Sequence, residues 1–135
     1  MAKETGLGQT TLSVDDSSSS AQAIINDVTN WQLSTPRGVQ DVTGVDSSAM
    51  ERLLLLADAS LTLNGPFNDE ANMSHAVFKT VCSTSVARTV ALAHSGQTFG
   101  AEMLFTDYAL TRTQAGELTW SAPGVNADGN VPTWS

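Results

Sequence analysis

The chain has 135 residues, six Lys and Arg against fourteen Asp and Glu, two His and one Cys, and 41% of its residues are hydrophobic. Such a chain can build one core covering roughly two-thirds of its extended surface, so no metal or disulfide is needed to hold a fold. A formal charge of −8 argues against an electrostatic grip on nucleic acid or anionic lipid, and the longest apolar run, Leu53 to Ala57, falls far short of the ~20 residues of a membrane helix.

Met1 to Gly6 contains one basic residue and no apolar block, so no secretory signal is read and synthesis in a cytoplasm is expected. Residues 1–23, polar and interrupted by Ser17-Ser18-Ser19-Ser20, have too little apolar surface to offset ordering entropy and are expected as a flexible arm. Acid is concentrated toward the start: residues 1–70 carry ten Asp and Glu against three Lys and Arg, and residues 71–135 carry four against three.

Ile24, Ile25, Val28, Trp31 and Leu33 suggest one or two strands closed by the turn Pro36-Arg37-Gly38. Val39, Val42 and Val45 have poor period for a strand, and Ser48-Ala-Met-Glu51 fits a capping box, which predicts a short helical turn. Ala57, Ala59, Leu61 and Leu63 then alternate with Asp58, Ser60, Thr62 and Asn64, the pattern of a half-buried strand ended by Asn64-Gly65-Pro66. Met73, Val77 and Val81 recur at helical spacing, with Asn68, Asp69 and Asn72 as candidate caps.

Arg88 to His94 reads as a strand with Val90 and Leu92 on one face, punctuated by Ser95-Gly96. Phe99, Ala101, Met103 and Phe105 share a face, yet Tyr108 and Leu110 have the opposite parity, which predicts a bulge or bend near Thr106-Asp107. Gln114-Ala115-Gly116 is a hairpin loop across which Tyr108 and Leu110 face Leu118 and Trp120, and Pro123 stops the pairing. Residues 124–135 form a loop-like C-terminal arm, leaving 24–123 as the β domain.

Chemistry is sparse. His75 and Cys82 lie seven residues apart, a spacing that a packed helix face also produces, and no oxyanion-hole loop accompanies them. His94 beside Ser95 reads as a polar strand end, and Cys82 as a small apolar residue. Two His and one Cys cannot close a zinc site, and Asn126-Ala-Asp-Gly-Asn130 lacks the later glutamate of a calcium loop. Asp15-Asp16 and Asp69-Glu70 read as solvated carboxylates, and Gly6-Leu7-Gly8 precedes no strand-turn-helix. Neither catalysis, a cofactor nor a metal is expected.

The stretch Thr98 to Pro123 carries only Glu102, Asp107, Arg112 and Glu117 to blunt its edges. Either it pairs with another copy or it folds onto its own sheet.

Asp46-Ser-Ser-Ala-Met-Glu-Arg-Leu-Leu-Leu-Leu56, Leu61-Thr-Leu-Asn-Gly-Pro-Phe-Asn68, Ser74-His-Ala-Val77, Arg88-Thr-Val90, Thr106-Asp-Tyr-Ala-Leu-Thr-Arg112 and Leu118-Thr-Trp-Ser-Ala-Pro123 occur in that order. Together they resemble the major tail proteins, or tail tube proteins, of long-tailed actinobacterial siphophages, over roughly residues 24 to 135.

The resemblance implies a mainly β fold: a tail-tube-type sandwich or barrel with one flanking α-helix, a long β-hairpin and extended N- and C-terminal arms. It implies a structural virion protein whose partners are copies of itself, in hexameric rings stacked helically into a non-contractile tube. Genomic DNA would pass through the lumen without specific binding. A tape measure protein would lie inside, and terminator and distal tail proteins at the ends. Assembly would occur in the bacterial cytoplasm, with no membrane partner. Candidate lumen-facing residues are Asp58, Ser60, Thr62 and Glu102, and candidate inter-subunit contacts are Pro132 and Trp134.

In this setting a negative, polar bore would repel phosphate, although the acid would equally confer solubility from outside. The alternatives are a tail terminator or decoration protein, or a ligand-binding β-sandwich, which would need an exposed aromatic platform near Trp31, Trp120 or Trp134.

Overall fold

A computed structural model describes residues 3–135. The first departure from the sequence reading lies in the expected arm, which contributes two strands, β1 (Thr11–Asp15) and β2 (Ala21–Ala23). Leu12 and Val14 are buried and lie opposite Leu92 and Val90 of a later strand. Two apolar side chains are too short a pattern to stand out in sequence, yet they complete a row already made by their neighbours. Ser17–Ser20 is the turn between these strands, closed by Asp16, whose carboxylate accepts the amide protons of Ser18 and Ser20 at 2.9 and 3.1 Å. Those bonds, the one from Ser20 foremost, hold the Asp16 carboxyl below its ordinary range.

A 3₁₀ turn, Ile25–Asp27, leads to β3 (Asn30–Ser34), β4 (Arg37–Asp41), β5 (Arg52–Ala57) and β6 (Ser60–Pro66). Helix α1 (Ser74–Phe78) precedes β7 (Arg88–His94), β8 (Gln97–Phe105), β9 (Ala109–Arg112), β10 (Leu118–Asn126) and β11 (Thr133–Trp134). Nine strands form one antiparallel sheet in the order β2-β1-β7-β8-β10-β6-β3, with β9 on β10 and β11 on β8. β4 and β5 pair only with each other. The stretch Thr98 to Pro123 therefore lies within the chain's own sheet, and the projecting hairpin is β4–β5. No helix forms at Ser48–Glu51: the Glu51 amide donates to Thr43 Oγ1 at 2.8 Å, and the leucine run enters β5.

The two ends of the seven-strand path are neighbours in sequence. Laid flat, seven strands at ~4.8 Å spacing would separate β2 from β3 by about 29 Å. Only residues 24–29 connect them, a reach of at most ~24 Å that the 3₁₀ turn shortens further. The sheet must curl. Across the resulting seam Trp31 Nε1–H donates to Gln9 Oε1 at 3.0 Å.

Curling gives the sheet an inner face. Leu12 and Val14, Val90 and Leu92, Phe99, Met103 and Phe105, Trp120 and Ala122, and Leu61 and Leu63 line it in register. The parity break is also resolved. Phe105 lies opposite Gly124 and Ala109 opposite Ser121, so three residues of one strand face two of β10. That one-residue bulge returns Tyr108 to the core side, 6.2 Å from Trp120. Leu110 pairs with Trp120 as expected, whereas Leu118 lies opposite Arg112.

Helix α1 plugs this face with Phe78, whose ring lies 5.3 Å from Trp120 and 5.1 Å from Phe105. Its cap is remote. Buried Asp27 accepts the Ser74 amide proton through Oδ2 and the Asn68 side-chain amide through Oδ1, both at 2.9 Å, so Asn68 serves the cap indirectly and Asp69 and Asn72 do not. Arg88 is 2% exposed and donates to the carbonyls of Asp15 and Val77 at 3.0 and 2.8 Å and to Thr80 Oγ1 at 3.1 Å. Burial lowers its guanidinium pKa, opposed by the charges of Asp16 and Asp15.

Gly65 marks the tightest approach: a Cβ there would lie 1.8 Å from the Asp27 carbonyl oxygen. Gly65→Ala must push the 3₁₀ turn off β6. Chemical denaturation is expected to show a loss on the order of 3 kcal/mol or more.

Candidate assembly interface

The most apolar run of the chain is its most exposed strand. Leu53, Leu54, Leu55 and Leu56 are 55, 59, 47 and 90% exposed, and Val39, Val45 and Met50 are exposed on the same hairpin. Successive strand residues point to opposite faces, so β5 offers leucine on both. Val39 pairs with Leu54 and Gln40 with Leu53, and the register shifts between Arg37 and Val39. The hairpin is held locally. Arg37 donates Nε–H and Nη2–H to the Leu55 carbonyl at 2.9 and 2.8 Å, and the Asp58 amide donates to the Pro36 carbonyl at 3.1 Å. At the far end the Thr43 hydroxyl and amide donate to Asp41, keeping its carboxyl below the ordinary range.

A lone two-stranded hairpin is marginal in water, and this one presents two free edges as well as two apolar faces. Its exposed apolar side chains amount to roughly 700 Å², a patch that monomers rarely leave bare and close to the ~800 Å² per partner of a standard interface. Sequence reasoning missed it. The available signal was an unalternating leucine run without a helix cap after it, in a chain too short to bury such a strand on both faces.

The sheet's outward face is different. At the outward positions of β6, β7, β8 and β10 stand Thr, Ser, Asn, Ala and Gly, with an apolar pair Leu104–Val125 beside Pro123. Ser60, Thr62 and Glu102 share this face, separated by β10. Glu102 is the one charged side chain at those positions, and the Thr89 hydroxyl donates to its Oε1. Asp58 stands apart at the hairpin base, where Oδ1 accepts the Ala59 amide proton at 2.8 Å. Most of the acid lies off this face, on loops and on the hairpin.

The C-terminal segment is tied down rather than trailing. Thr133 and Trp134 pair with Gly100 and Phe99, Ser135 exchanges two 2.8 Å backbone bonds with Thr98, and the Trp134 ring lies 5.3 Å from Phe99. Trp134 keeps 53% of its surface exposed, and Pro132 is half-buried. Trp120 is buried with Nε1–H on the Pro66 carbonyl at 2.9 Å, so it forms no ligand platform.

The residues weighed for chemistry stay apart. His75 Nδ1 lies 3.1 Å from Tyr108 Oη in an aromatic cluster with Phe67, while Cys82 is exposed rather than packed. His94 Nε2–H donates to the Thr5 carbonyl at 2.8 Å. Among the described residues no group of three or more His, Cys, Asp or Glu is placed to hold a metal ion, and no helix is long and apolar enough to cross a membrane.

No model of a known protein family matches the sequence, and no curated protein matches it. Solved structures do. A chain in the "Tail of empty GTA particle computed with helical refinement, C6 symmetry" superposes with a TM-score of 0.76 at 17% identity, covering 98% of this chain and 99% of that one. A chain in the "Virion of native gene transfer agent (GTA) particle" superposes with a TM-score of 0.70 at 18% identity, covering 97% and 99%. The fold is thus mainly β and of tail-tube type, shared over essentially the whole length of both chains.

Because β5 touches nothing in the core, Leu54→Asp and Leu56→Asp are expected to leave the melting curve of the unassembled chain within about 0.5 kcal/mol of the parent. Thermal denaturation by circular dichroism at low protein concentration checks this.

Proposed function

We propose that the chain is a structural subunit of a phage-like tail, forming hexameric rings that stack into a non-contractile tube. The observation that carries this reading is the β4–β5 hairpin, apolar on both faces and unpaired on both edges, on a fold shared with a subunit of a C6-symmetric tail. Such a hairpin is satisfied by copies of the same chain, and cyclic closure followed by head-to-tail stacking converts one surface into a tube. The subunit would reside in the virion tail, with a tape measure protein inside and terminator and distal tail proteins at the ends. It is not an enzyme in this reading.

Negative-stain electron microscopy of the purified chain at rising concentration is the direct test, and filaments with a central channel are the expected result. Each copy carries −8, so assembly driven by apolar contact against like-charge repulsion should strengthen between 50 and 500 mM salt, on the order of the range over which the Debye length shrinks from above 10 Å to a few Å. Rings that never stack would favour a terminator, and a persistent monomer would remove the proposal.

For the bore the reading takes the outward sheet face bearing Ser60, Thr62 and Glu102. A hydroxyl-rich face with no Lys or Arg and one carboxylate per copy offers phosphate no counter-charge, which suits passage of DNA without specific binding. Asp58 belongs to the hairpin base instead, and Pro132 and the half-exposed Trp134 remain contact candidates between neighbouring copies. Glu102→Cys in a Cys82→Ser chain tests the orientation: a small maleimide should label tubes and free chains alike, whereas a maleimide on a polymer too large for the bore should label free chains only. Equal labelling of tubes by the large reagent would place this face outside.

A further inference from the structure

The hairpin leaves the body where β3 ends and β6 begins, beside Ser34 and Ser60. β6 and β10 run antiparallel from this end to the other, pairing Val125 with Ser60 here and Thr119 with Pro66 there. At that far end the β9–β10 turn projects. It carries a second, smaller set of exposed apolar side chains, Leu110 at 47% and Leu118 at 37%. They continue the inward row of Trp120 beyond the point where the core stops, beside Phe67, whose amide donates to the Leu118 carbonyl at 3.2 Å. One end of the subunit thus offers a projecting apolar strand, and the opposite end an apolar shelf.

Resting on the assembly reading above, we infer that the β4–β5 hairpin of one copy docks on the β9–β10 shelf, Leu110 and Leu118, of a copy in the next ring. Two surfaces at opposite ends make a heterologous contact, which repeats along an axis without closing. Hairpin-to-hairpin pairing would be isologous; it would cover the leucines in a closed pair and stop growth. Charge does not direct the contact, because both surfaces carry net acid: Asp41, Asp46, Glu51 and Asp58 outnumber Arg37 and Arg52 on the hairpin, and Asp69, Glu70 and Glu117 outnumber Arg112 around the shelf. Apolar burial does. The roughly 700 Å² on the hairpin is enough for a standard interface, provided a partner meets both its faces.

The test uses the full chain with one surface disabled at a time: Leu55→Asp on the hairpin and Leu118→Asp on the shelf, followed by sedimentation velocity. Each variant alone should fail to stack at tenfold the concentration at which the parent does. An equimolar mixture should form a complex of limited size, because the intact hairpin of one variant meets the intact shelf of the other. Leu110→Asp serves as a second shelf variant, and circular dichroism shows that each variant is folded. If both folded shelf variants stack like the parent, the shelf is not the receptor and this inference fails while the tube reading stands. If the mixture gains nothing, the contact is not heterologous. If the parent never associates, both readings fall together.

Discussion

Six residues between β2 and β3 decide the shape of this molecule, because they tie together strands that stand at opposite ends of the sheet. A short tether cannot span a flat sheet of seven strands, so the sheet closes on itself and one of its faces becomes an interior. The tether is braced where it turns: Asp27 caps α1 through its carboxylate, and its carbonyl lies against the backbone of Gly65. A side chain at Gly65 would hold the two apart. The helix, the seam at Trp31 and Gln9, and the packing of Phe78 on Trp120 all follow from that closure.

Closure also determines what is left over. Once the inner face is filled by the apolar residues of β1, β6, β7, β8 and β10, the chain has no second core into which a strand such as β5 can fit. Its leucines are therefore expelled with β4 as a hairpin that touches the body chiefly at its base. In a solitary protein this arrangement would be an aggregation hazard. In an assembling one it places the adhesive surface on an arm, away from the polar sheet face. The separation between a hydroxyl-rich face with a single carboxylate and an apolar arm is what gives a tube its two requirements, cohesion between subunits and an unadhesive channel.

The acid takes its meaning from this division. Residues 1–70 hold most of the net charge, yet the outward positions of the central strands hold only Glu102. Much of the remaining carboxylate serves local structure, as Asp16 does in the β1–β2 turn, Asp41 at the hairpin end and Asp128 with Asn130. Hydrogen bonds to the ionised form, chiefly from backbone amides and from the Thr43 hydroxyl, lower the pKa of each of these three.

Strand alternation made β6, β7, β8 and β10 legible in the sequence, because a half-buried strand must alternate whatever lies across from it. The parity clash between Phe105 and Tyr108 even located the bulge, since one extra residue is the only way both side chains reach one face. Other features depended on partners distant in the chain. β1 has just two apolar side chains and is a strand because Leu92 and Val90 wait for them; α1 is capped from Asp27 rather than from its own neighbours; and the Ser48–Glu51 pattern lost to pairing of β5 with β4. Local periodicity thus set which residues face inward, a property of each strand alone. Which face became the interior, and that Leu53 to Leu56 would stand outside it, was decided only when the tether closed the sheet, because burial depends on the space that remains after every other strand has taken its place.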